Sequence, residues 1–164
     1  MDQKTKKQLR GKLFQHLDGI SLCSTIAAFH NKGITEFILE NKIFTIQEVI
    51  NNYKCNAGYM NVSLRLLASQ GWLKRTIIND GENIEFQLTD KGNIGLYHAA
   101  YYDTFNKFVP FLINIDKYLF DPHAKDFQEK FQKLIISLDS LNSKQHLPET
   151  IEWDISKHLE GLLV

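Results

Sequence analysis

The sequence is short of most features that would announce a chemistry. It has only two cysteines, three prolines and two tryptophans in 164 residues, and its nineteen basic and nineteen acidic residues cancel. Zero net charge removes any overall field that would draw the molecule to nucleic acid, an anionic membrane or an acidic substrate. No apolar run approaches the length needed to span a bilayer, and the opening MDQKTKKQLR is polar with no signal-peptide core behind it. The expected location is cytoplasmic, with no membrane partner. Cys23 and Cys55 form no CxxC pair, so both read as inert thiols in helices.

Catalytic signatures are missing too. The histidines His16, His30, His98, His123, His146 and His158 are scattered, without HxxxH or Cys-His spacing for zinc. Asp121-Pro122-His123 is first a helix stop. There is no GxSxG, no Walker loop and no paired-carboxylate arrangement. No catalytic, cofactor-binding or metal-ligating residue is therefore assigned.

What is present is a balanced composition, 43% hydrophobic and 23% charged, enough to bury a core. Lys4 to Leu17 suits a short amphipathic helix, and the nearly continuous apolar set from Ile20 to Phe29 suits a helix buried against several neighbours. Gly33 ends it as a left-handed cap. A short helix follows from Ile34 to Leu39. Thr45-Ile46-Gln47-Glu48 is a capping box that opens a two-turn helix. Asn56 then caps a second helix with Met60, Leu64, Leu67 and Ala68 at helical spacing, closing at Gly71.

Trp72 to Ile78 is rich in β-branched and aromatic residues, Asn79-Asp80-Gly81 is a turn, and Ile84 to Leu88 alternates as a half-buried strand. Two helices followed by a β-hairpin make a winged helix. The fold class is thus mainly α, a helix-turn-helix plus hairpin with flanking helices. Thr89 caps a further helix. From Ile94 to Phe120 the sequence is helical and aromatic, with Pro110 as a kink. Another helix carries Phe127, Phe131, Leu134, Ile135 and Leu138, a linker runs from Ser140 to Pro148, and a last helix starts at Glu149. Residues 1–92 form the helices and winged helix, and residues 93–164 a helical extension. The apolar end Leu162-Leu163-Val164 reads as a chain cut within an element.

Three stretches, IAAFHNKGITEFILENKIFTIQEVI, YMNVSLRLLASQGWLKR and FQLTDKG, resemble the N-terminal domain of class I S-adenosylmethionine-dependent methyltransferases. The relatives are small-molecule O-methyltransferases and the methyltransferase domains of polyketide assembly lines. The resemblance spans Ile20 to Gly92. It implies a non-catalytic domain for dimerisation or closure of an acceptor pocket, a homodimer, a small-molecule or carrier-bound acceptor, and a catalytic domain beyond Val164. The S-adenosylmethionine site would lie in that domain, since no GxGxG occurs here. Tyr101, Tyr102, Phe105 and Phe108 are the candidate acceptor-pocket residues, with core or interface packing as the alternative for the same stripe.

A winged helix also suits a DNA-binding regulator. A reader helix needs base-directed polar residues with basic flanks. Between Thr45 and Gly92, Lys54, Arg65, Lys74, Arg75 and Lys91 are matched by Glu48, Asp80, Glu82, Glu85 and Asp90. That balance argues against nucleic acid as a partner and leaves the regulator as the alternative reading.

Overall fold

The computed structural model describes residues 2–78, 83–121, 129–130, 132–134, 136–137 and 140. The turn at Asn79-Asp80-Gly81, His123, Phe127, Phe131, Ile135, Leu138, the linker beyond Ser140 and the expected helix from Glu149 lie outside the described residues, as do His146, His158 and the side chain of His16.

The elements run α1 (Gln3–Asn31), α2 (Ile34–Asn41), β1 (Ile43–Thr45), α3 (Ile46–Tyr53), α4 (Ala57–Ser69), β2 (Leu73–Ile78), β3 (Asn83–Leu88), α5 (Asp90–Tyr97), α6 (Ala99–Asn106), α7 (Val109–Leu112) and α8 (Asp116–Leu119). The chain divides into two compact units, Met1–Asp103 and Thr104–Val164. The first is a winged helix with flanking helices.

The helix-end chemistry expected at Gly33, Thr45, Asn56 and Thr89 is observed, and Asp2 adds a cap that was not expected. Asp2 opens α1 by accepting from the Thr5 N–H at 2.7 Å. Gly33 takes φ +74°, the left-handed conformation in which a side chain is disfavoured, and so turns the chain from α1 into α2. At α3 the capping box is reciprocal: the Glu48 N–H donates to the Thr45 hydroxyl at 3.3 Å, while the Thr45 N–H donates to the Glu48 carboxylate at 2.6 Å. Those Thr45 bonds hold the Glu48 carboxyl below its ordinary value. Its contribution to stability is therefore present above the ordinary carboxylate range and lost as the pH falls through the lowered value. Thr45→Ala removes the cap and should cost about 1 kcal/mol in urea denaturation.

Three expectations are corrected. The two helices expected before Gly33 are one 29-residue helix, because Gly19 has open space around it and a single glycine costs only about 1 kcal/mol. Within α1 burial begins near Leu22, and Ile20 is exposed. The hairpin has a third strand: β1 pairs antiparallel with β3, with Phe44 opposite Phe86, in the order β1-β3-β2. The aromatic region does not form one stripe. It breaks after Tyr97, after Asn106 and again after Leu112, so Pro110, which sits in the first turn of α7, is only one of its interruptions.

The core of the first unit lies between the helices and the inner face of the sheet. Phe44 and Phe86 stack at 5.8 Å between centroids, and Phe37 meets both Phe44 and Tyr53 edge-on. Ile26, Ile38, Val49, Leu64, Leu67 and Leu96 complete it, all fully buried. Thr35 is the buried polar residue among them, and its hydroxyl donates to Glu36 at 2.7 Å.

Candidate nucleic-acid interface

The helix-turn-helix is built from α3 and α4. Lys54 closes α3 in a left-handed conformation, φ +47°, and two residues later Asn56 opens α4 by accepting from the Tyr59 N–H at 3.1 Å. The turn is pinned from below, because the Tyr53 hydroxyl donates to the Gly33 carbonyl at 2.7 Å. With Met60, Leu64 and Leu67 committed to the core, the opposite side of α4 faces solvent. That side carries Tyr59, 78% exposed, Val62, 62% exposed, and then Arg65 and Ser69. Successive residues are three or four apart, so they form one stripe.

Gly71 and Trp72 join α4 to β2. Trp72 and Leu73 are buried, after which Lys74, Arg75, Thr76 and Ile77 are exposed. Alternation along β2 puts Arg75 and Ile77 on the same face as Leu73, opposite Phe86 and Ile84 of β3. Lys74 lies on the outer face, opposite Gln87.

The base of this wing is locked by the segment Leu88-Thr89-Asp90-Lys91-Gly92. The Thr89 N–H donates to the Trp72 carbonyl at 3.1 Å, and its hydroxyl lies within bonding distance of the Gly71 and Trp72 carbonyls. The same hydroxyl accepts from the Gly92 N–H at 3.0 Å, which caps α5. Lys91 donates from Nζ to the Gln70 carbonyl at 2.8 Å, placing a cation on the negative end of α4.

The charge count over Thr45 to Gly92 hides a segregation. No Asp or Glu occurs between Glu48 and Asp80, whereas Lys54, Arg65, Lys74 and Arg75 all fall in that interval. It is the interval that forms the turn, α4 and β2. Glu48 is held in its capping box, and Glu85 lies on β3 opposite Thr76. Among the described residues the balancing acids Glu48, Glu85 and Asp90 lie on α3, β3 and α5, with Glu85 on the same face of the sheet as Lys74. Summing charge by chain position missed this, and grouping the residues by element would have found it.

The four expected acceptor-pocket residues are not placed alike. Tyr101 is buried and Tyr102 packs edge-on against Trp72 at 5.7 Å, both in the first unit. Burial, with the nearby Cys23 thiol second, pushes the Tyr102 phenol up, and burial also raises Cys23, whose thiol donates to the Tyr102 carbonyl at 3.4 Å. Phe105 and Phe108 are half-buried and belong to the second unit. Among the described residues no group of three His, Cys, Asp or Glu side chains could hold a metal ion, and no helix is long and apolar enough to cross a membrane.

Residues 9–75 match the family model described as the AprA N-terminal domain. No curated protein matches the chain in sequence. Solved structures similar to it include ZitR of Lactococcus lactis, at 20% identity, covering 85% of this chain and 97% of that one, with a TM-score of 0.37. A MarR family transcriptional regulator from Streptomyces coelicolor is 11% identical, covering 87% and 98%, with a TM-score of 0.37. Overoxidised AbfR bound to DNA is 14% identical, covering 82% and 99%, with a TM-score of 0.40.

The comparisons correct the assignment drawn from sequence. The similar structures include transcriptional regulators and two structures of AbfR bound to DNA. The methyltransferase assignment is therefore withdrawn, together with its polyketide context, its acceptor and the catalytic domain beyond Val164. The exclusion of nucleic acid is withdrawn with it. The physical reason is visible at the wing base. Leu-Thr-Asp-Lys-Gly carried part of the resemblance, and here it serves to cap α5 and tie β3 to Trp72, a task that belongs to the wing and to no particular chemistry.

Proposed function

We propose that the chain is a winged-helix DNA-binding regulator, with α4 as the reader and β2 as the phosphate-contacting wing strand, a role that goes with a cytoplasmic location. The observation that carries this reading is the acid-free interval containing an exposed Tyr59-Val62-Arg65 stripe on α4. Arg65 has the chemistry for a guanine edge, and Val62 and Tyr59 offer apolar contact to thymine methyl groups. Lys54, Lys74 and Arg75 supply positioning contacts to phosphate.

Three phosphate-contacting cations per protein copy predict a clear salt dependence. If each neutralises one phosphate, the slope of log K against log salt is about −2.7, so a fourfold rise in salt weakens binding roughly fortyfold. Fluorescence anisotropy with a duplex pool of mixed sequence would measure it. Lys74→Ala should weaken binding to all sequences and reduce the slope by about 1, whereas Arg65→Ala should also relax the preference at one base position. Salt-independent binding, or none at low salt, would sink the proposal.

A further inference from the structure

Burial in α1 begins near Leu22, so residues 3–20 extend about 27 Å along the helix before its packed part. Leu9, Leu13, Leu17 and Ile20 recur three or four apart and make one stripe, with Phe14 beside it, and each is between 45% and 66% exposed. Ser21 and Ala28, both exposed, continue that side about one and three turns beyond Leu17, while Leu22, Ile26 and Phe29 turn inwards. The stripe therefore faces away from the body of the first unit. Lys4, Lys6, Lys7, Arg10 and Lys12 surround its N-terminal end, and no Asp or Glu occurs between Asp2 and Asp18. Both acids are engaged: Asp2 caps the helix, and Asp18 accepts from the Gln70 amide at 3.2 Å. Among the described residues none of the five cations is held in an ion pair.

Zero net charge over the whole chain conceals this local excess of cations. Helical stability comes mostly from packing an apolar face, so the stripe calls for a partner that is both apolar and anionic. A second copy fits poorly. A two-fold contact sets a patch against itself and would bury Lys6 and Arg10, which lie three residues before Leu9 and Leu13 on the same side, with no free acid on α1 to pair them. Nucleic acid would engage the cations and leave the leucines in water. An anionic bilayer meets both needs, with acyl carbons beneath the stripe and phosphates at the height of the long basic side chains. We propose that residues 3–20 dock flat on the surface of an anionic lipid bilayer, with Leu9, Leu13, Phe14, Leu17 and Ile20 inserted at the headgroup boundary. The surface is separate from the exposed side of α4 and does not depend on the DNA-binding reading.

Co-sedimentation of the full chain with vesicles of phosphatidylcholine, alone or mixed with phosphatidylserine, tests it at physiological salt. The mixed vesicles should bind at least about tenfold more tightly than the neutral ones. Lys7→Gln combined with Arg10→Gln should weaken that binding roughly thirtyfold, since each cation near an anionic surface contributes about fivefold. Leu13→Gln combined with Leu17→Gln should abolish it, with unchanged thermal unfolding because both leucines are exposed. Arg65→Ala and Lys74→Ala should leave it unchanged, which keeps this test apart from DNA binding. Equal binding to both vesicles, binding to neither, or full affinity in the leucine variant overturns the proposal. It is equally overturned if sedimentation equilibrium finds a dimer that the leucine variant dissociates, because a second copy then covers the stripe.

Discussion

Gly92→Ala is expected to destabilise the protein by about 2–3 kcal/mol, although alanine is the better helix former. A Cβ at this position would run into the Trp72 carbonyl and approach the Leu88 side chain at 2.9 Å. The carbonyl has little room to retreat, since it accepts from the Thr89 N–H at 3.1 Å and faces the Thr89 hydroxyl at 3.0 Å. Moving it loosens the cap of α5 and the base of the wing together. The control has the opposite sign. Gly11 and Gly19 lie inside α1 with nothing within 4 Å of a Cβ, so alanine there should stabilise by up to about 1 kcal/mol. Urea denaturation of the three variants measures both directions. A neutral Gly92→Ala would mean that the wing base is not locked as described.

Phe86→Ala should cost about 3–5 kcal/mol, the largest loss expected of any single truncation here. Phe86 is fully buried on the central strand of the sheet, opposite Phe44 of β1 and Arg75 of β2. Its removal leaves a void beneath the stack with Phe44 and weakens the inner face that both edge strands share. Phe120, 85% exposed, is the matching control, and its truncation should change stability by no more than about 0.5 kcal/mol. Chemical denaturation curves would separate the two, and comparable losses would contradict the burial pattern.

The features legible from sequence are those whose partners are close along the chain. Thr45 and Glu48, Asn56 and Tyr59, and Thr89 and Gly92 are each three residues apart, so each cap could be read directly. The core positions Met60, Leu64 and Leu67 followed from helical period, and the hairpin from alternation around a turn. β1 was invisible because three residues have no period of their own, and only pairing with β3 makes Ile43–Thr45 a strand. The continuity of α1 was misread because the change from an amphipathic pattern up to Leu17 to a nearly continuous apolar set from Ile20 was taken as two helices, where one helix carries both.

The charged surfaces show the same division. The local order of residues sufficed to establish a winged helix, since caps, period and turns are decided within a few residues. Which charges act together was decided by folding. Residues at positions 107, 117, 130 and 133 come around one hollow, and an acid-free interval occupies the turn, α4 and β2, while of the acids summed against it Glu48 belongs to α3, Asp90 to α5 and Glu85 to the strand beside Lys74. Coulomb interactions depend on separation in space and fade over about 8–10 Å in physiological salt. A net charge summed along the chain therefore averages over groups that never act on the same ligand, and only the tertiary structure shows which of them share a face.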